Sequence, residues 1–206
     1  MPDGLALIDY GAGNLRSVEN ALRAAGAPDV LVTADPDAVL GAERIVLPGV
    51  GAFAACMGAL SAVPGMVEAL NERVIRQGAP FLGVCVGMQL MADAGEEFGT
   101  RLGLGWIGGT VARLKPEDPD ARIPHMGWND VVPVVPHPLI VPGEAYFLHS
   151  FAFQGADPAM LAATTHHGGT VTAAVARDNM IGVQFHPEKS QAYGLALLGN
   201  FLDWRP

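Results

Sequence analysis

Basic residues are scarce. Twelve Lys and Arg stand against 21 Asp and Glu in 206 residues, giving a formal net charge of −9 at pH 7. Nothing in that balance offsets phosphate repulsion, which excludes nucleic-acid binding as the default function. Long apolar runs are also missing. None approaches the roughly 18–20 residues of a membrane span, so no membrane role is expected. The opening Met1-Pro2-Asp3-Gly4-Leu5-Ala6-Leu7-Ile8-Asp9 has no basic region ahead of an apolar one, and no signal peptide is expected. Cysteine is nearly absent. Two in a chain this long make no disulfide framework. They fit a reducing, cytoplasmic setting in which at least one can work as a thiolate. The six histidines show no H-x-x-x-H spacing and the cysteines no C-x-x-C, so neither a metal site nor a cofactor is expected. Convincing repeats and low-complexity tracts are lacking too.

What is present is core material. Hydrophobic residues make up 50% and charged residues 16%, enough for one core and against disorder. One domain over residues 1–206 is expected, with no evident room for a second active site.

Short apolar runs alternate with helix-like stretches, which reads as α/β. Residues 5–9, 30–32, 44–47 and 81–84 read as strands. From Asn14, the positions Leu15, Val18, Leu22 and Ala25 make one helix face ended by Gly26. Residues 66–77 give a second helix with Met66, Leu70 and Val74 in step, and residues 87–94 a third. Residues 101–130 read mostly as loop with short strands such as 111–114. Extended pieces follow at 131–135, 146–153, 170–175 and 181–185. A closing helix over 191–202 carries Leu195, Leu198 and Leu202. The expected fold is an open, mostly parallel sheet flanked by helices, with additional antiparallel strands in the second half.

The chemistry starts at Gly83-Val84-Cys85-Val86-Gly87. A strand runs into a thiol flanked by glycines two residues either side, the cysteine version of the G-x-S-x-G elbow. Glycine suits a turn too tight for Cβ atoms, and the N-terminus of a following helix favours the thiolate. A buried cysteine at a strand end fits the pentapeptide equally well. Near the other end, Gln184-Phe185-His186-Pro187-Glu188 closes a strand. Pro187 pushes His186 towards extended geometry, and extended spacing puts His186 and Glu188 on one side. Glu188 can then orient the ring while its other nitrogen acts as a base. Alone, this is an ordinary loop histidine; beside the elbow, it supplies base and third member to a nucleophile. Pro48-Gly49-Val50-Gly51 could aim backbone N–H groups at an oxyanion, or be a plain strand-to-helix turn. Gln89 and the acidic pair Glu96-Glu97 follow the elbow, with solvated charge as the competing account of the acids. Tyr10-Gly11-Ala12-Gly13 is no nucleotide loop, because Arg16 takes the third glycine's place. His166-His167 reads as loop and Cys56 as structural.

Cys85 in its elbow, Met88-Gln89 behind it and His186-Pro187-Glu188 resemble the class I, triad-type glutamine amidotransferases. The stretch from Ile8 to Val18, Leu47-Pro48-Gly49-Val50-Gly51-Ala52-Phe53, Ile123-Pro124-His125-Met126-Gly127-Trp128-Asn129, Tyr146-Phe147-Leu148-His149-Ser150 and residues 182–190 are similar to the glutaminase subunits of imidazole glycerol phosphate synthases. The blocks span essentially the whole chain. The resemblance implies hydrolysis of L-glutamine to glutamate and ammonia. It also implies that the ammonia passes to a (β/α)₈-barrel cyclase partner in a heterodimer that serves histidine biosynthesis. It implies Cys85 as nucleophile, His186 as base and acid, and Glu188 as orienter. Backbone N–H groups of Val50 and Val86 would serve the oxyanion. Gly49, Gln89, Glu97 and Ser150 would hold the glutamine. Asn14, Trp128, Tyr146 and Lys189 would lie towards the partner and the ammonia route.

This chain departs from the family pattern at Val84 and Val86, where leucines are usual, and at Met91-Ala92-Asp93. Phe151 stands where a tyrosine is common, so only backbone contacts are expected there. Another class I glutaminase, a cysteine hydrolase of different substrate, and a non-enzymatic regulatory subunit are the competing readings.

Overall fold

The apolar run Leu5–Ile8 forms strand β1, buried at every position, in the computed structural model, which describes residues 4–206. Residues 1–3, part of the stretch considered above for a signal peptide, lie outside the described residues. The chain continues through α1 (Leu15–Ala24), β2 (Val30–Thr33), α2 (Pro36–Gly41), β3 (Arg44–Leu47), α3 (Phe53–Ala62), α4 (Met66–Leu70) and β4 (Phe81–Val84). After β4 come α5 (Val86–Gln89), β5 (Ala92–Gly95), β6 (Arg101–Leu102), β7 (Ile107–Arg113), β8 (His125–Pro133), β9 (Gly143–His149) and β10 (Phe151–Gln154). The chain closes with β11 (Leu161–His166), β12 (Thr170–Arg177), β13 (Met180–Val183) and α6 (Gln191–Asp203).

Local chemistry explains most of these elements. Helix α1 buries Val18, Ala21 and Leu22, and Gly26 leaves it at φ +108°, a conformation that costs glycine little. Helix α2 begins where the Asp35 carboxylate accepts the Asp37 N–H at 3.0 Å, with Pro36 in the first turn. Met66, Leu70 and Val74 are all fully buried, as their spacing of four requires. The helix widens to π geometry over Asn71–Arg76.

Among the described residues, one sheet has the order β2-β1-β3-β4-β13-β12-β11-β8-β9. The pairs from β2 to β13 are parallel, and those from β13 to β9 are antiparallel. A second sheet, β10-β7-β5-β6, stands beside it. This is the expected α/β division, with the parallel half contributed mainly by the first half of the chain. Among the described residues no single helix is long and apolar enough to cross a membrane.

Four local expectations need correction. The helix expected over residues 87–94 stops at Gln89, and Ala92–Gly95 is a strand. The amides of Leu104, Gly105, Trp106 and Ile107 capture the carbonyls of Leu90, Met91 and Ala92, which a longer helix would have used. The expected loop over 101–130 contains β6, all of β7 and the start of β8. Strand β7 pairs on both sides, with β5 and β10, and that pairing outweighs its poor local propensity. The extended piece 146–153 breaks at Ser150, where the chain leaves one sheet for the other. Finally, α6 buries Gly194, Leu197, Leu198 and Phe201, whereas Leu195 is partly exposed. Gly194 lies so close to Pro187 that a Cβ would overlap its carbonyl oxygen, and this contact sets the rotation of the helix.

Candidate active site

Strands β4 and β13 are parallel neighbours, with Gly83 opposite Gly182 and Val84 opposite Val183. The Cys85 N–H donates to the Val183 carbonyl at 2.8 Å, so the thiol and the His186 segment leave adjoining strand ends together. Cys85 takes φ +53° and ψ −110°, a strained conformation for a side-chain-bearing residue. Its neighbours show why the elbow demands glycine. A Cβ on Gly83 would stand 2.8 Å from Gly87 O and Met88 N, and one on Gly87 would overlap the Leu47 carbonyl oxygen. A Cβ on Gly49 would stand 2.7 Å from Gly87 N. Three segments therefore cross where only glycines fit. The helix behind Cys85 is a single turn, Val86–Gln89, shorter than the sequence suggested.

His186 Nδ1 lies 2.8 Å from Glu188 Oε1, and both side chains are buried. The pair forms through a 3₁₀ turn at Pro187–Lys189 rather than an extended run, although His186 itself is extended as a residue before proline should be. The backbone is held from both sides. The His186 N–H donates to the Tyr146 carbonyl at 2.9 Å, and the Ser190 hydroxyl donates to the His186 carbonyl at 2.6 Å. Burial works to lower the His186 pKa. Hydrogen bonding to the Cys85 sulfur and the Glu188 carboxylate more than offsets it, and the pKa is pushed up to about 10.

Cys85 and His186 line one cavity of about 180 Å³ with Val50, Gly51, Val86, Gln89, Glu97, Leu148, His149, Ser150, Phe151 and Lys189. Glu188 stands directly behind His186, and Gly49 packs beneath Val86. Glu97 is not simply solvated charge. Its Oε2 accepts the Phe53 N–H at 2.9 Å, at the start of α3, while Glu96 is exposed on the rim. Gln89 donates from Nε2 both to the Phe151 carbonyl and to Gln184 Oε1, each at 3.0 Å. That leaves Gln89 Oε1, an acceptor, for a donor entering the cavity. Phe151 does contribute through its backbone, as expected.

Of the two backbone donors expected to serve an oxyanion, the Val86 N–H is already engaged within the fold. It donates to the Gly49 carbonyl at 3.3 Å. The Tyr10 hydroxyl donates to the Pro48 carbonyl at 2.7 Å, and the Cys56 thiol lies 3.3 Å from the Val50 carbonyl. Burial raises both of these groups, which keeps them as donors. Cys56 is thus buried on α3 as expected, and it also touches the segment beside the nucleophile.

Asn14, Trp128 and Tyr146 are not among the cavity-lining residues. Trp128 is 47% exposed, with its ring 6.2 Å from that of Tyr146, and Lys189 Nζ sits 5.7 Å from the Tyr146 ring centroid. These three form one cluster beside the cavity, while exposed Asn14 stands at the start of α1. Sequence reasoning gave no role to Gln184, whose Nε2 lies 3.7 Å from Cys85 Sγ, to His149 in the cavity wall, or to His125 behind it. Gln184 shares a strand-end alternation with His186, and that spacing was its only signal. His166 closes β11 rather than lying in a loop, and His167 stacks on His125. Among the described residues no three His, Cys, Asp or Glu side chains converge as a metal site.

A thiol on a strained strand-to-helix turn, with a carboxylate-bound histidine in the same cavity on an α/β sheet, defines a triad-type cysteine amidohydrolase. The pattern of the family described as "Glutamine amidotransferase class-I" matches residues 6–203. The imidazole glycerol phosphate synthase subunit HisH of Zymomonas mobilis is 63% identical over 98% of this chain and 96% of its own. The subunit of that name from Rhodospirillum rubrum is 53% identical over 98% and 99%. A solved glutamine amidotransferase superposes with a TM-score of 0.73 at 17% identity, covering 97% of this chain and 98% of its own. The PurLQS structure from Thermotoga maritima superposes with 0.72 at 18%, covering 98% and 99%. The chain belongs to the class I glutamine amidotransferases and, within them, to the family of the HisH subunits of imidazole glycerol phosphate synthase.

Proposed function

We propose that the chain hydrolyses L-glutamine at Cys85 and passes the ammonia to a (β/α)₈-barrel cyclase subunit, with which it forms a heterodimer. In the cyclase the ammonia yields imidazole glycerol phosphate and aminoimidazole carboxamide ribotide, a step of histidine biosynthesis. The observation that carries the reading is the placement of Cys85 and His186 in one cavity at adjoining strand ends, with Glu188 2.8 Å behind the ring.

The Cys85 thiolate attacks the side-chain amide carbon of glutamine. The C–N bond breaks as His186 gives its proton to the departing nitrogen, leaving ammonia and a thioester. His186, neutral again, takes a proton from water. The hydroxide adds to the thioester, and glutamate leaves as the thiolate reforms. Glu188 keeps the hydrogen on Nδ1, so that Nε2 handles both transfers. Both cysteines are free, which suits reaction in a reducing cytosol.

The oxyanion needs both Val50 N–H and Val86 N–H. Turning the Gly49–Val50 peptide would swing the Gly49 carbonyl off Val86 and bring the Val50 N–H in. We assign this turn to the loaded complex. Asn14, Trp128, Tyr146 and Lys189 form the face towards the cyclase. The experiment is glutaminase activity with and without the co-expressed cyclase and its ribonucleotide substrate. The reading expects a rate that depends on both; a rate independent of both overturns the coupled-subunit account.

A further inference from the structure

Beside the cavity a line of hydrogen bonds, buried where His125 meets His149, runs from β8 towards the nucleophile. It can be followed from its acceptor end. The Phe151 carbonyl can only accept, and His149 Nδ1 lies 2.9 Å from it, so this nitrogen carries hydrogen. In a neutral ring His149 Nε2 then accepts, and its partner 3.0 Å away, His125 Nδ1, carries hydrogen in turn. His125 Nε2 is left as an acceptor for Asn129 Nδ2 at 3.0 Å. The second Asn129 hydrogen goes to the His166 carbonyl at 2.8 Å. Every donor meets an acceptor, and the chain has one direction.

Packing holds the rings in place. Phe147 stacks on His125 with centroids 4.7 Å apart, and His167 stacks on it at 4.2 Å. Burial, with mutual repulsion adding to it, pushes His125 down to about 3; His149 falls to about 4 through burial, opposed by the Phe151 carbonyl. Both are therefore neutral at pH 7, as the chain requires.

The Phe151 carbonyl is also where Gln89 is anchored. Gln89 Nε2 donates to it and to Gln184 Oε1, and Gln184 Nε2 reaches the Cys85 sulfur. We infer that Asn129, His125 and His149 are positioning residues for glutamine hydrolysis: their one-way hydrogen-bond chain fixes the Phe151 carbonyl, and through it Gln89, Gln184 and the Cys85 sulfur. The inference rests on the assignment of Cys85 as nucleophile.

The test uses the chain purified with its cyclase. ¹⁵N NMR of histidine-labelled wild-type protein at pH 7 is expected to show His125 and His149 neutral with hydrogen on Nδ1. Hydrogen on Nε2, or a charged ring, in either residue overturns the proposal without any variant having to fold. In kinetics, His149→Leu is expected to lower kcat/KM for glutamine about tenfold or more. His149→Asn, whose amide nitrogen sits where Nδ1 does, is expected to restore most of that loss. If both variants melt near the wild-type temperature, an undiminished His149→Leu, or a His149→Asn no better than it, overturns the proposal. Cys85→Ala runs alongside: if it still hydrolyses glutamine, the nucleophile assignment fails, and that outcome is distinct from failure of the chain.

Discussion

The Val86 amide donates to the Gly49 carbonyl at 3.3 Å, so an oxygen sits on one of the two donors proposed for the oxyanion. The Tyr10 hydroxyl and the Cys56 thiol hold the carbonyls of Pro48 and Val50 on either side. The Gly49–Val50 peptide between them is the unit left to turn. Oxyanion donors act on the transition state and not on bound substrate. Loading the complex is therefore predicted to raise kcat about 100–1,000-fold, the worth of one such donor, with KM for glutamine moving much less. Steady-state ammonia release from the free chain and from the loaded complex checks this. A gain carried by KM would mean that the partner helps substrate bind, not react.

Two glycines near the site are predicted to respond differently to alanine. A Cβ on Gly87 would overlap the Leu47 carbonyl oxygen, and neither backbone can retreat from the crossing at Gly49. Gly87→Ala is predicted to cost about 3 kcal/mol or more, at or above the top of the roughly 1–3 kcal/mol usual for overpacked cores, because the clash is with backbone. Gly11 sits at φ +82° with open space around it. Gly11→Ala pays only for the backbone conformation, about 1–2 kcal/mol. Urea midpoints for the two proteins measure the difference, and equal losses would show that contact at the crossing is not what excludes a side chain.

Acid stability follows from the buried histidines. His125 and His149 have folded pKa values near 3 and 4, below the usual 6.5. Below pH 6.5 the unfolded chain takes up protons that the folded chain refuses. Their contribution is whole above pH 6.5 and is lost as pH falls towards about 4 for His149 and about 3 for His125, by at most about 1.4 kcal/mol per pH unit for each ring. His167 faces both rings and His186 that of His149, and each deepens the effect. His149→Asn cannot titrate, so its urea-derived stability is predicted to fall less steeply between pH 6.5 and 5 than that of the wild type. Parallel slopes would show that His149 is charged in the fold.

The parts of the site legible in sequence were those made by neighbours in the chain. Gly83, Cys85 and Gly87 announce a tight turn because three close residues make it. His186 and Glu188 meet because one proline sits between them. Strand β4 and helix α1 follow from runs and spacings that bury one face. Less legible was whatever depends on distant partners. The strand at Ala92–Gly95 exists because residues 104–107 take the preceding carbonyls and β7 supplies its ladder. The 101–130 stretch, rich in glycine and charge, becomes β7 and part of β8 through pairing alone. His125 and His149 are 24 residues apart, and neither lies in a spacing that a short motif would flag. The Gly49 carbonyl on the Val86 amide is a matter of which way one peptide faces, and residue types do not encode that directly.

The most direct test of the account is Cys85→Ala in the complex with the cyclase, assayed with glutamine and separately with an ammonium salt as nitrogen source. The cavity should keep its shape, because the change removes only the sulfur. The account predicts that glutamine-dependent synthesis is abolished while ammonium-dependent synthesis stays close to the wild-type rate. Retained glutamine-dependent synthesis would contradict it, and loss of both activities would make Cys85 a structural residue instead of the nucleophile.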